Sequence, residues 1–270
     1  MDRSIWLALA SAFSFAICTV SFAQISGKVT LDGAPPQMRE IKEMAAIPQC
    51  DALHKKPVYE DTVVTGANGE LANVIVFIKE DKLGELKGPQ IDKPAKLDQK
   101  GCMYIPHVLA VEVGQPFVLV NSDPLLHSAR TITIDNKPFN VAQINVGVKV
   151  MEPFIAVETF EIKCDIHPWM TAIVRVFDNP YFATTGKDGK FSIDTNGLKD
   201  GTYTVQAWHE RYKDSEPQTV EVKDGKATKE VDFTYKAGAK AQAVSIKTIH
   251  LASLGATAGC CEVKGAVGPK

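Results

Sequence analysis

Short apolar runs rich in Val, Ile, Thr and Phe follow one another along the chain, each bounded by Gly, Pro, Asn or Asp: GKVTL, ANVIVFIKE, VLAVEVGQPFVLVNSD, ARTITI, AVETFEIKC and TAIVRVFD. β-Branched and aromatic side chains suit a pleated, half-buried surface and the bounding residues suit turns, so the pattern predicts strands. A sustained helical period is missing. Only the stretch 35–57 sets Met38, Ile41, Met44 and Ala45 on one face, enough for one or two helical turns. The expected fold class is all-β, a sandwich with a helical excursion near its start.

Beyond Asp178 the strands shorten and the turns become explicit. TTGKDGKFSIDTNGLKDGTYTVQAWHE predicts turns at Asp188-Gly189 and Asp200-Gly201 and strands over 191–193 and 203–208. PQTVEVKDGKATKEVDFTY adds a hairpin turning at Asp224-Gly225. Gly189, Phe191, Ile193, Gly201, Tyr203, Thr204, Val205 and Ala207 follow a G-x-F-x-I … G-x-Y-T-V-x-A pattern. In this the stretch resembles the carboxypeptidase regulatory-like (transthyretin-like) module, which implies a second, small prealbumin-like sandwich and no single chemistry. From Lys236 the chain turns Ala- and Gly-rich, with Lys236, Lys240, Lys247, Lys264 and Lys270 against Glu262, the composition of a flexible basic tail. VSIKTIHL within it is a candidate edge strand.

The N-terminus reads differently. A basic residue, an apolar run over 5–22 and small residues ending at Ala23 make a secretory signal peptide cleaved before Gln24. Ser4, Ser11, Ser14, Thr19 and Ser21 dilute the run and weigh against the alternative of a membrane anchor. The expected division is a signal peptide over 1–23, a first domain with an N-terminal extension over 24–177, a second over 178–235, and a tail over 236–270. The expected location is periplasmic or secreted, with no transmembrane span after cleavage. With 45% hydrophobic and 23% charged residues and a formal charge of -2, the composition is that of a soluble globular protein and suggests neither nucleic acid nor a strongly charged substrate.

Export makes the cysteines informative. Of the six in the sequence, Cys18 leaves with the signal, so Cys50, Cys102, Cys164, Cys260 and Cys261 remain and at least one thiol is unpaired. Cys164 stands in CDIHPWM, where a thiol, an imidazole and a thioether recur at every third position as Cys164, His167 and Met170. Two His, one Cys and a weak axial Met form a blue-copper ligand set. The loop supplies three donors, and His127 in VLVNSDPLLHSARTITI is the candidate for the fourth, on another strand-end loop. Zinc is the inorganic alternative, though Met is a poor zinc ligand. A further alternative is structural, with Cys164 a buried thiol and Met170 core packing.

Here the sequence resembles the cupredoxins, with C-x-x-H-P-W-M closest to the short ligand loop of amicyanin. The resemblance runs over 108–177 and implies a Greek-key β-sandwich and one type 1 copper centre held by His127, Cys164, His167 and Met170. Two positions depart from the family pattern: Ser128 follows the first His where Asn is common, and Lys163 precedes the Cys where an aromatic is common. Pro124, Leu125, Leu126, Pro168 and Trp169 flank the histidines and form a candidate docking patch for a redox protein partner, or else a cap on the core.

Cys50 and Cys102 are candidates for a disulfide; the alternative is a second metal site with His54 and His107, four and five residues away. His209 is expected at the surface. The role of Cys260 and Cys261 is open. With six His, no His-x-His pair, no Gly-rich phosphate loop and no Ser/His/Asp order, the sequence reads as a non-enzyme. The expected function is an exported type 1 copper protein that carries single electrons. The alternatives are a non-redox copper-binding protein and a β-sandwich module that binds carbohydrate or protein.

Overall fold

The computed structural model describes residues 24–80 and 85–238. The leader, and the tail with Cys260 and Cys261, lie outside the described residues. Among those described, no helix is long and apolar enough to cross a membrane. The fold is all-β, with four sheets paired into two sandwiches.

One sandwich sets a four-stranded sheet, in the order Tyr104–Ile105, Ala95–Gln99, Phe117–Asn121 and Gly147–Met151, against a five-stranded sheet, in the order Val108–Glu112, Thr171–Phe177, Thr159–Lys163, His127–Ile132 and Asn140–Gln143. Its core includes Leu97, Phe117, Leu119, Phe160, Ile162 and Val174. The stretch 35–57 holds a 3-10 turn, Lys42–Ala46, and one helical turn, Pro48–Asp51. Ile41, Met44 and Cys50 are buried in the same core, so the excursion caps this sandwich.

The other sandwich sets Lys190–Asp194, Gln24–Asp32 and Phe233–Lys236 against a sheet ordered Phe182–Thr184, Val74–Lys79, Gly201–His209, Gln218–Lys223 and Lys226–Ala227. The turn at Asp188-Gly189 has Gly189 at φ +68°, where a Cβ would lie 2.5 Å from the Val29 carbonyl oxygen, so only glycine fits both the backbone and the space.

Strand pairing does not follow a division at 177/178. Gln24–Asp32 pairs with Lys190–Asp194 and Phe233–Lys236, and Val74–Lys79 pairs with Gly201–His209, so both early strands belong with the C-terminal ones. The reason is visible in VIVFIK. Val74, Val76 and Ile78 enter the core of their own sandwich, while Ile75 and Phe77 enter a separate cluster with Val108, Ile173 and Phe177 of the other. A strand apolar on both faces needs cover on both, and only the position between the sandwiches provides it.

That junction also holds charge. The Arg175 guanidinium lies 4.4 Å from the Phe77 ring centroid and 5.1 Å from that of Phe177. His107 is buried between Asp61, 3.1 Å from its Nδ1, and Glu210, 2.6 Å from its Nε2.

His209 corrects the sequence reading, since it is fully buried. The strand carries it between Tyr212 and Tyr235, where Nδ1 accepts the Arg211 N–H at 3.0 Å and Nε2 has no partner. Burial disfavours the imidazolium and depresses the pKa to about 4. A folded-state value below the unfolded one means that the unfolded chain binds the proton first as pH falls. Stability is therefore present above about pH 6.5 and lost toward pH 4, by about 3 kcal/mol from this residue. His209→Asn keeps an acceptor for Arg211 and removes the titration. Denaturant unfolding at pH 7 and pH 4 is expected to show a drop smaller by about that amount in the variant than in the wild type.

Candidate metal centre

Two loops at one end of the first sandwich bring the donors together. The first follows strand Phe117–Asn121 and is fixed by its Asn121 side chain, whose Oδ1 accepts the Asp123 N–H at 3.0 Å and whose Nδ2 donates to the Leu125 carbonyl at 2.9 Å. The turn delivers His127 to the start of the next strand. The second loop joins the antiparallel strands Thr159–Lys163 and Thr171–Phe177. It is closed by the Cys164 N–H on the Met170 carbonyl, 3.2 Å, and the Met170 N–H on the His167 carbonyl, 2.9 Å. The three-residue spacing of Cys164, His167 and Met170 therefore falls on one tight hairpin end.

The Nδ1 atoms of His127 and His167 stand 3.0 Å apart, with Cys164 Sγ 3.8 Å from the second. One donor atom from each of the three lies within 4.8 Å of the others. The cage is dry: His127 and Met170 are 0% exposed, His167 2% and Cys164 4%.

Both imidazoles are oriented from behind. His127 Nε2 faces the Asp123 carboxylate at 2.9 Å and donates to it, which leaves the Nδ1 lone pair for the cage. His167 Nε2 lies 3.5 Å from Cys50 Sγ. Cys164 Sγ accepts the N–H groups of His167, 3.4 Å, and Ser128, 3.5 Å. Burial alone pushes this thiol up, but the neighbouring imidazoles of His127 and His167 and the two backbone N–H groups outweigh it and hold the pKa at about 5. Cys164 is thus a thiolate at neutral pH, the form that binds metals.

Ser128 ties the two loops together. Besides its N–H on Cys164, its Oγ accepts the Asp165 N–H at 2.8 Å. Asp165 in turn accepts from Arg130 Nε, 2.7 Å, and Asn140 Nδ2, 2.8 Å.

Cys50 and Cys102 are joined in a disulfide. The alternative second site is not assembled: His54 Nε2 contacts the Gly101 carbonyl at 2.7 Å and His107 is held by Asp61 and Glu210. The disulfide instead covers the metal cage, and Trp169 Nε1 donates to the Cys102 carbonyl at 2.9 Å beside it. In the candidate docking patch Pro124, Leu126 and Pro168 are exposed, while Leu125 and Trp169 are half-buried against the core. Both imidazoles are buried, and the His167 ring packs against Trp169 with centroids 5.3 Å apart. Asp123 and the placement of the disulfide are absent from the sequence reading. An acid four residues before His127 was the one local signal.

No protein-family model matches the chain, and no curated protein matches it. Among solved structures it is similar to a copper-containing nitrite reductase from Thermus scotoductus SA-01, with 23% identity, a TM-score of 0.30, and 37% of this chain and 25% of that one covered. It is also similar to a methionine-to-glutamine mutant of amicyanin in the Cu(I) state, with 17% identity, a TM-score of 0.28, and 31% of this chain and 81% of that one covered. A third is a purple cupredoxin from Nitrosopumilus maritimus, with 21% identity, a TM-score of 0.27, and 30% of this chain and 98% of that one covered. The chain spans a quarter of the nitrite reductase's length.

Proposed function

We propose that the protein is an exported cupredoxin that holds one type 1 copper ion through His127, Cys164, His167 and Met170 and passes single electrons to a redox protein partner. The observation that carries this reading is the convergence of two Nδ1 atoms and a buried thiolate, with the thioether of Met170 on the same loop. Soft sulfur and imidazole donors of this kind suit copper, and the axial sulfur tunes its potential. Copper bound there would supply a one-electron couple. The chain's own residues fix the ligands before metal arrives: Asp123 sets the His127 tautomer, Ser128 joins the loops, and the core behind Met170 excludes water. Rigid ligands favour reversible cycling because both oxidation states meet one geometry.

The experiment is voltammetry of the protein loaded with one equivalent of copper. A reversible one-electron wave is expected, and Met170→Leu should keep the copper while moving the wave to higher potential, because a lost donor favours Cu(I). Copper bound without a reversible wave would favour storage, and failure to bind copper would move function to the other sandwich.

A further inference from the structure

The two imidazoles of the metal cage each have a second face, and that face is lined with ligand-type atoms. Behind His167 the donor atoms of Cys50, Cys102 and His167 lie within 4.8 Å of one another, and so do those of Cys102, Asp123 and His127. All five residues are buried. Cys50 Sγ to His167 Nε2 is 3.5 Å. Two ligands bound tetrahedrally at zinc–sulfur and zinc–nitrogen lengths stand about 3.6 Å apart, so this sulfur and nitrogen already have the spacing of neighbours on one ion.

We propose that Cys50 and Cys102, when not joined to each other, form with His167 Nε2 a second site, for a borderline divalent ion such as Zn²⁺, and that the disulfide is the closed form of this site. Two sulfurs and one imidazole make a three-ligand zinc-type donor set that leaves a fourth position for water. The open form exists in the chain before oxidation, or after a dithiol reduces the bond: two electrons and two protons pass to Cys50 and Cys102 while the dithiol becomes a disulfide. Metal binding then releases the thiol protons. Because His167 serves both faces, an ion on its Nε2 side competes with its role on the Nδ1 side. The redox state of Cys50 and Cys102 thereby selects which metal the protein carries.

The test uses Co²⁺ as the probe and Cys164→Ser to silence the first cage, so that its outcome is separate from that of the copper reading. The full chain is reduced with dithiothreitol, desalted without oxygen and titrated. Expected is one equivalent of Co²⁺ with a thiolate-to-cobalt charge-transfer band, absent from the disulfide form and from the added Cys50→Ala/Cys102→Ala pair, and weakened by His167→Ala. A folded, reduced chain with no such band, or an equal band in the disulfide form, overturns the proposal. If the reduced chain unfolds, Co²⁺ must restore its folded circular dichroism spectrum together with the band; failure to do so also overturns it.

Discussion

Replacing Cys50 and Cys102 together by alanine is expected to lower the unfolding free energy by about 4 kcal/mol, because the bond closes a loop across a sequence separation of 52 residues. Most of that loss acts through the unfolded chain, which regains the entropy of an open loop. The folded state changes as well. Cys50 sits in a single helical turn, and the short stretch around it is anchored by Ile41 and Met44 in the core. Without the bond this cap loosens and the His167 edge, now under Cys50 Sγ, opens to water. Denaturant unfolding of the metal-free protein checks the magnitude. A loss below about 1 kcal/mol would show that the cap is held by packing alone.

Asp123→Asn is expected to weaken copper binding about 10- to 100-fold, the cost of losing the group that orients a metal-binding histidine. The carboxylate accepts three donors at once: the Gly101 N–H at 2.8 Å, the Cys102 N–H at 2.8 Å and His127 Nε2 at 2.9 Å. It therefore links the disulfide's own backbone to His127, the first of the proposed ligands. An amide of the same shape turns an N–H₂ toward one of those donors and removes the charge that fixes the His127 tautomer. Asp123→Ala leaves the buried Cys102 N–H and His127 Nε2 without a partner, at about 1–3 kcal/mol each, and frees the half-buried Gly101 N–H. Chelator competition gives the affinity, and equal affinity in Asp123→Asn and wild type would mean that the strand alone holds His127 in place.

Much of this architecture is legible in the residue pattern, because strands with one buried face alternate visibly. The hairpin at Asp224-Gly225 and the strands around CDIHPWM fall where the alternation and the turn residues put them. Ala95–Gln99 is hidden by its polarity: Asp98 and Gln99 are buried, compensated by Ser122 Oγ on Asp98 at 2.7 Å and by Gln99 Nε2 on Gln143 at 2.6 Å. Gly147–Met151 is hidden for the opposite reason, since Val148 and Val150 point outward from an edge strand. The domain boundary fails in the sequence because pairing between distant strands leaves no local mark. The same holds for the site. Cys164, His167 and Met170 are read from spacing within one loop, whereas Cys50 meets His167 across 117 residues and nothing near either residue announces it.

In the proposed function Cys164, with His127 and His167, binds copper through a thiolate. The visible absorption spectrum of the protein loaded with Cu(II) tests it most directly. An intense thiolate-to-copper charge-transfer band is expected, and it should disappear in Cys164→Ala. A pale wild-type protein, or a band that survives the substitution, would contradict it.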